Sequence, residues 1–245
     1  MCYLIVGASS GVGRALAEEF ASAGHALVLV SSDGRDTEAL ARDLELQYCV
    51  PVTSVAVDLA APEARLADID AALAGLPQLL GILLPAGANR DDDRPGQSTE
   101  SFDTITRVNY VSLCHIINRY LAQIIAAGTT GLLVGFGSVA AVRGRSQNAA
   151  YAAAKRGLHC YFESLRHALA PAGVIVQFYT LGYLDTNLAF GHATPLPKGA
   201  PARLAEAVYR RRNQDFGQGF YPAFWRPVTL LVRAIPWLLF RRMSF

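Results

Sequence analysis

The sequence is short of charge. Only 17% of its 245 residues are Asp, Glu, Lys or Arg, against 52% hydrophobic, and the net charge is +2. That balance leaves no basic footprint for nucleic acid, so no such partner is expected. Cysteine is scarce. Cys2, Cys49, Cys114 and Cys160 form no CxxC pair and match no metal-ligand spacing. This argues against a zinc site or a disulfide scaffold and reads as reduced thiols in the cytoplasm. No uninterrupted apolar run reaches the roughly 18 residues of a spanning helix. No charged leader with a cleavage site opens the chain, so no signal peptide is expected. Internal repeats and low-complexity linkers are lacking as well.

Short apolar runs alternate with longer helical patterns. Residues 3–6, 26–30, 52–57, 79–84, 131–136 and 174–179 read as strands. Helical patterns lie between them, including a long stretch from Phe102 to Ala127 and another from Ala149 to Ala170. This rhythm predicts an α/β fold: a single-domain, Rossmann-type, doubly wound parallel sheet with helices on both faces. The apolar excess suits buried parallel strands. Residues 181–201 read as a loop, 202–213 as a short helix and 219–221 as a short strand. The domain is placed at 1–219, with a helical C-terminal extension over 220–245.

The stretch "VGASSGVGRAL" sets Gly7, Gly11 and Gly13 between the first strand and the first helix. A sharp turn there lets backbone approach a pyrophosphate with no Cβ in the way. The helix N-terminus then offers free N–H groups and partial positive charge. Gly7, Ser9, Ser10, Gly11, Val12 and Gly13 form the expected phosphate cradle. Further on, "YAAAK" sets Tyr151 and Lys155 four residues apart, on one face of a predicted helix. A phenol is a weak acid, and an adjacent ammonium favours its ionised form and sharpens it as a proton donor. Ser138 ends a strand, where ligands of α/β sheets gather. The expected chemistry is hydride transfer to a ketone, with Tyr151 protonating the developing alkoxide and Ser138 orienting the carbonyl.

The GxxxGxG spacing followed by YxxxK resembles the short-chain dehydrogenase/reductase family, over about residues 3–190. The resemblance implies a tetrad of Asn109, Ser138, Tyr151 and Lys155, in which Asn109 anchors a proton path and Lys155 also holds the cofactor ribose. It places Asp58 and Leu59 at the adenine. Ala86 and Gly87 fall in the strand-four motif, where Pro85 stands in place of the usual Asn. Gly182, Leu184 and Thr186 fall on the nicotinamide side, where Leu181 replaces the usual Pro. It further implies a homodimer or homotetramer.

At the tip of strand two, where an NAD enzyme carries an acid, the chain reads "VSSDGR". Ser31 and Ser32 do not repel a 2′-phosphate and Arg35 can reach one. NADP(H) is therefore favoured, while Asp33 keeps NAD(H) open. No metal is expected. His115, His159 and His167 sit on predicted helices without partners at metal spacing, and "RDDDR" (90–94) reads as a solvated loop, with a border of the substrate entrance as the alternative.

Residues 220–245 mix Phe220, Tyr221, Phe224, Trp225, Trp237, Phe240 and Phe245 with Arg226, Arg233, Arg241 and Arg242. Pro227 and Pro236 divide them into two short helices. Rings beside arginines suit a membrane–water interface; a subunit contact and a lid over the site are the rivals. The tail loosely resembles envelope-sugar reductases acting on polyprenyl-linked keto-sugars. With Leu188, Phe190 and Leu196 in an apolar loop, it implies a lipid-linked or amphiphilic carbonyl substrate and peripheral contact at the inner membrane surface. The competing class is a non-catalytic dinucleotide-binding or redox-sensing protein with the same tail.

Overall fold

The computed structural model describes residues 1–9, 11–61, 66–186 and 196–243. Ser10, Leu188, Phe190 and Phe245 lie outside the described residues. The strands are β1 (Cys2–Val6), β2 (Ala26–Ser31), β3 (Val52–Ala56), β4 (Leu79–Leu84), β5 (Leu132–Ser138), β6 (Ile175–Leu181) and β7 (Gln218–Tyr221). They form one sheet in the order β3-β2-β1-β4-β5-β6-β7. Every pairing is parallel. The order reverses direction between β1 and β4, the point where open α/β sheets leave a crevice.

Alternation along each strand sends neighbouring side chains to opposite faces. Leu4 and Val6 of β1 join Val28, Val30, Ile82 and Leu84 in one core layer. That layer is covered by α3 (Leu66–Ala74), α5 (Ser112–Ala126) and α6 (Ala149–Leu169). Tyr3 and Ile5 join Leu27, Leu29 and Phe136 in the other layer, under α1 (Gly11–Ser22), α2 (Gly34–Tyr48) and α7 (Pro201–Arg210). All five residues of β1 and all six of β4 are buried, as strands covered on both faces must be.

The long helical stretch predicted from Phe102 begins earlier and is not uniform. It consists of α4 (Thr99–Thr106), one π-helical turn over Arg107–Val111, and α5. The tail folds as α8 (Trp225–Ala234) and α9 (Trp237–Phe240). Pro236 separates them, as expected. Pro227 does not break the chain, because it sits in the first turn of α8, where its missing N–H has no helical acceptor to lose. The sheet includes residues on both sides of position 219, since β7 continues to Tyr221.

Candidate active site

A cavity of 1330 Å³ opens along the C-terminal ends of β1, β4, β5 and β6. Its floor at β1 is shaped by backbone that only glycine permits. Gly7 has φ +97°, and a Cβ there would lie 2.6 Å from the Ala86 backbone. A Cβ on Gly13 would meet the Gly7 carbonyl at 1.9 Å. The turn is thus clamped between α1 and the end of β4, and the first amides of α1 face the crevice. Ser9, Gly11 and Val12 line the cavity, whereas Gly13 serves the packing behind it.

At the β2 tip, Ser31 is buried. Its hydroxyl donates to the Asp33 carbonyl at 3.1 Å and accepts from the Thr37 hydroxyl at 2.8 Å. The Asp33 carboxylate is engaged as the cap of α2, accepting from the Asp36 N–H at 3.0 Å. Arg35 does not reach the main cavity. It lines a shallow hollow beside it with Ser32 and Gly34. Asp58, Leu59, Ala86 and Gly87 border the main cavity, as do Gly182, Leu184 and Thr186; Thr186 packs against the glycine turn, since a Cβ on Gly11 would lie 2.8 Å from its methyl.

Ser138, Tyr151 and Lys155 come together in that cavity. Ser138 ends β5; its hydroxyl accepts from the Ala140 N–H at 3.1 Å and faces the same cavity as the Tyr151 phenol. Lys155 is buried, and its ammonium donates to the Ala86 carbonyl at 2.9 Å and the Phe136 carbonyl at 3.2 Å. Burial pushes its pKa down to about 8, because the charged form has lost water. Burial likewise raises the Tyr151 phenol above its ordinary value, and the Ser138 hydroxyl opposes that rise. This corrects the expectation drawn from helical spacing. The ammonium points at two backbone carbonyls, and the group acting to ease ionisation of the phenol in the protein alone is Ser138.

Asn109 stands one layer behind, fully buried on the π turn. Such turns re-aim one side chain out of an otherwise regular helix. Its amide donates to the Ala88 carbonyl at 2.7 Å and the Ile105 carbonyl at 2.8 Å. Gly87 links it to the lysine: a Cβ on Gly87 would lie 3.2 Å from Asn109 Oδ1 and 3.3 Å from Lys155 Nζ. The cradle beside these two groups is therefore space that a side chain would fill. A flat, polar ligand part fits there, and with the glycine turn and the helix amides the crevice suits a dinucleotide.

Two contributors were not singled out from sequence. Asp93, from the run read as a solvated loop, is 3% exposed. Its carboxylate accepts from the Ala150 N–H at 2.8 Å and the Tyr151 N–H at 2.9 Å, and its carbonyl accepts from the Asn148 N–H at 2.8 Å. It caps α6 at the turn that carries Tyr151. Asn148, the residue before α6, has φ 56° and makes no capping bond with its side chain. Nothing local to residues 90–94 signals this, because the partner amides are more than fifty residues away. The second is Arg145, which lines the cavity between Ser138 and Tyr151 along the chain.

The described residues include no group of three or more His, Cys, Asp or Glu arranged to hold a metal. No helix among them is long and apolar enough to cross a membrane.

Known proteins share this arrangement of elements. The chain is 27% identical over 220 residues to the 3-oxoacyl-[acyl-carrier-protein] reductase of Aquifex aeolicus, covering 84% of this chain and 87% of that protein. It is 30% identical over 233 residues to the very-long-chain 3-oxoacyl-CoA reductase of Podospora anserina, covering 91% of this chain and 67% of the relative. A solved short-chain dehydrogenase from Sphingobium yanoikuyae, in complex with NADPH, superposes with a TM-score of 0.81 at 25% identity, covering 100% of this chain and 98% of that one. The family model for short chain dehydrogenases matches residues 2–193. With the glycine turn, the parallel sheet and the serine–tyrosine–lysine cluster at the strand ends, the chain belongs to the short-chain dehydrogenase family and is an oxidoreductase of that kind.

Proposed function

We propose that this chain interconverts a ketone and a secondary alcohol using NADP(H), through Asn109, Ser138, Tyr151 and Lys155. The observation that carries the reading is the convergence of Ser138, Tyr151 and Lys155 on one cavity that also holds the glycine turn. A bound nicotinamide dinucleotide supplies or accepts the hydride. In reduction, Ser138 donates a hydrogen bond to the carbonyl oxygen and Tyr151 Oη gives it a proton as charge develops. The phenol, kept protonated by its burial, is in the right state for that donation. Lys155 Nζ would hold the ribose hydroxyls of the bound dinucleotide. Asn109, fixed by Ala88 and Ile105, keeps the space beside Gly87 polar for return of the proton from solvent.

The β2 tip favours the phosphorylated cofactor. Arg35 and Ser32 line an open hollow that can take a 2′-phosphate; of the two carboxylates on its wall, Asp33 caps α2 and Glu38 pairs with Arg42. The NADPH of the Sphingobium relative agrees with this preference. The 3-oxoacyl substrates in the names of the two curated relatives favour a carbonyl on an amphiphilic carrier. A panel of ketones and alcohols, followed by the absorbance of reduced nicotinamide with both cofactors, tests the reading. Tyr151→Phe is expected to lose at least ~100-fold in turnover while binding NADPH as wild type does. Equal turnover by that variant removes the assignment.

The tail supports contact with an anionic lipid surface, with a lipid-linked keto-sugar as one substrate of that class. Leu230, Leu231, Trp237, Leu238 and Leu239 are each more than half exposed. Beyond Asp215 the chain carries four arginines and no acidic side chain. Arg143, five residues past Ser138, ties this surface to the site. It donates to the Val232 carbonyl at 2.8 Å and to the Ile235 carbonyl, and its guanidinium lies 3.8 Å over the Phe240 ring. Replacing Leu231, Trp237 and Leu238 by serine is expected to abolish co-sedimentation with phosphatidylglycerol vesicles. Absence of binding by the wild-type chain removes the membrane part.

A further inference from the structure

Arg145 borders the catalytic cavity in a segment where Ser146, Gln147 and Asn148 border it too, between Ser138 and Tyr151 in the chain. Its Nε is buried and has no hydrogen-bond partner. No carboxylate among the described residues pairs with it; the arginine ion pairs there belong to Arg42, Arg90, Arg119, Arg166 and Arg210. This is an unusual state for guanidinium. The side chain is only partly buried, so its outer nitrogens keep access to water, but a buried N–H left unmade costs more than a bond gained.

The acids nearby are committed elsewhere. Asp93 holds the amides of α6. Asp92 accepts from Arg90 and from the Ser101 hydroxyl. Asp91 also borders the cavity but is exposed, so water and salt screen it. Arg94, on the same wall, is likewise exposed and is screened in the same way. Among the described residues, Arg145 alone combines partial burial, an unmade donor and a place on the wall of the cavity that holds Ser138 and Tyr151. Its planar fork matches an oxyanion with two acceptor oxygens better than any neutral polar group.

We propose that Arg145 is an anion-binding subsite for the substrate, so that the preferred ketone carries a carboxylate, phosphate or sulfonate. This rests on the ketone-reductase reading and adds the charge of the substrate to it. Arg145 acts here as a specificity determinant, and the tyrosine and serine do the chemistry.

Matched pairs differing only in charge provide the test: 4-oxopentanoate against its methyl ester, and dihydroxyacetone phosphate against dihydroxyacetone. Binding to the NADPH-loaded protein is measured by calorimetry and turnover by absorbance. In the wild-type protein the charged member of at least one pair is expected to be favoured at least ~10-fold, in affinity and in kcat/KM. The pair that shows it distinguishes carboxylate from phosphate. Arg145→Gln is expected to bring that ratio to about one, and Arg145→Lys to recover only part of it, since an ammonium lacks the fork. Arg94→Gln should keep the wild-type ratio. Equal affinity for charged and neutral members, no binding of any of the four, or a ratio that survives Arg145→Gln overturns the subsite. An Arg145-dependent preference in binding with no turnover of any ketone upholds the subsite and sinks the ketone-reductase reading instead.

Discussion

The two ends of the cavity are built in different ways. At the glycine end, one short stretch of chain supplies nearly everything. Gly7, Ser9, Gly11 and Val12 are neighbours in sequence, and their positions follow from a strand, a turn and the start of a helix. At the other end, the wall is gathered from residues 88–95, 145–148 and 182–184, three loops that meet only when the sheet assembles. The first end is fixed by backbone geometry that tolerates no Cβ. The second is held by side-chain bonds across long separations, such as Asp93 to Tyr151 and Arg143 to Ile235. A pyrophosphate is the same in every dinucleotide, so its cradle can be local. A substrate pocket gathered from exchangeable loops can change its occupant without disturbing that cradle.

The contrast can be broken at the rigid end first. Gly87→Val puts a branched side chain against Asn109 Oδ1 and Lys155 Nζ. Overpacking there costs about 1–3 kcal/mol, so NADPH affinity is expected to fall roughly ten- to a hundred-fold, read by cofactor fluorescence. Undiminished affinity means that this space is not the cofactor's.

The assembled end should give way more gently. Asp93→Ala leaves two amides of α6 without an acceptor, worth about 1–2 kcal/mol, or roughly a 3–6 °C fall in melting temperature. Turnover is expected to drop by about ten-fold as Tyr151 loses its fixed position. Asp93→Asn, which keeps one acceptor, should lie between the two. If Asp93→Ala melts as wild type does, the capping role fails.

The smallest effect sharpens the comparison where the two ends meet. Folding lowers the Lys155 pKa from 10.5 to about 8, so between those values the unfolded chain binds the proton and the folded one does not. The cofactor-free protein therefore gains stability as pH rises across that window. The negative charge of a bound dinucleotide favours the ammonium again. At about pH 9, calorimetry in buffers of different ionisation enthalpy is expected to detect uptake of up to about one proton on binding NADPH. Zero uptake places the cofactor's charge away from this lysine.

Much of the site was legible because it rests on short-range rules. A strand of apolar residues running into glycines names its own turn, and an i, i+4 spacing names a shared helix face. The bonding of those groups was not legible. Tyr151 and Lys155 share a helix face, but the ammonium turns to the ends of β4 and β5 at Ala86 and Phe136. Those strands come from elsewhere in the chain. Asp93 looked like a surface charge because its run is charged throughout, and Pro227 looked like a break because its place within α8 depends on where that helix starts.

Taken alone, the sequence determined the layered α/β architecture, the glycine turn and the order of Asn109, Ser138, Tyr151 and Lys155 along the chain. Each of these depends on periodicity, backbone freedom or spacing within a few residues. Only the tertiary structure decided which side chain caps the catalytic helix, where the buried ammonium points, that Arg145 stands unpaired beside the site, and that the tail is latched to it through Arg143. Those outcomes depend on loops brought together by sheet assembly, and on which charges that assembly strips of water.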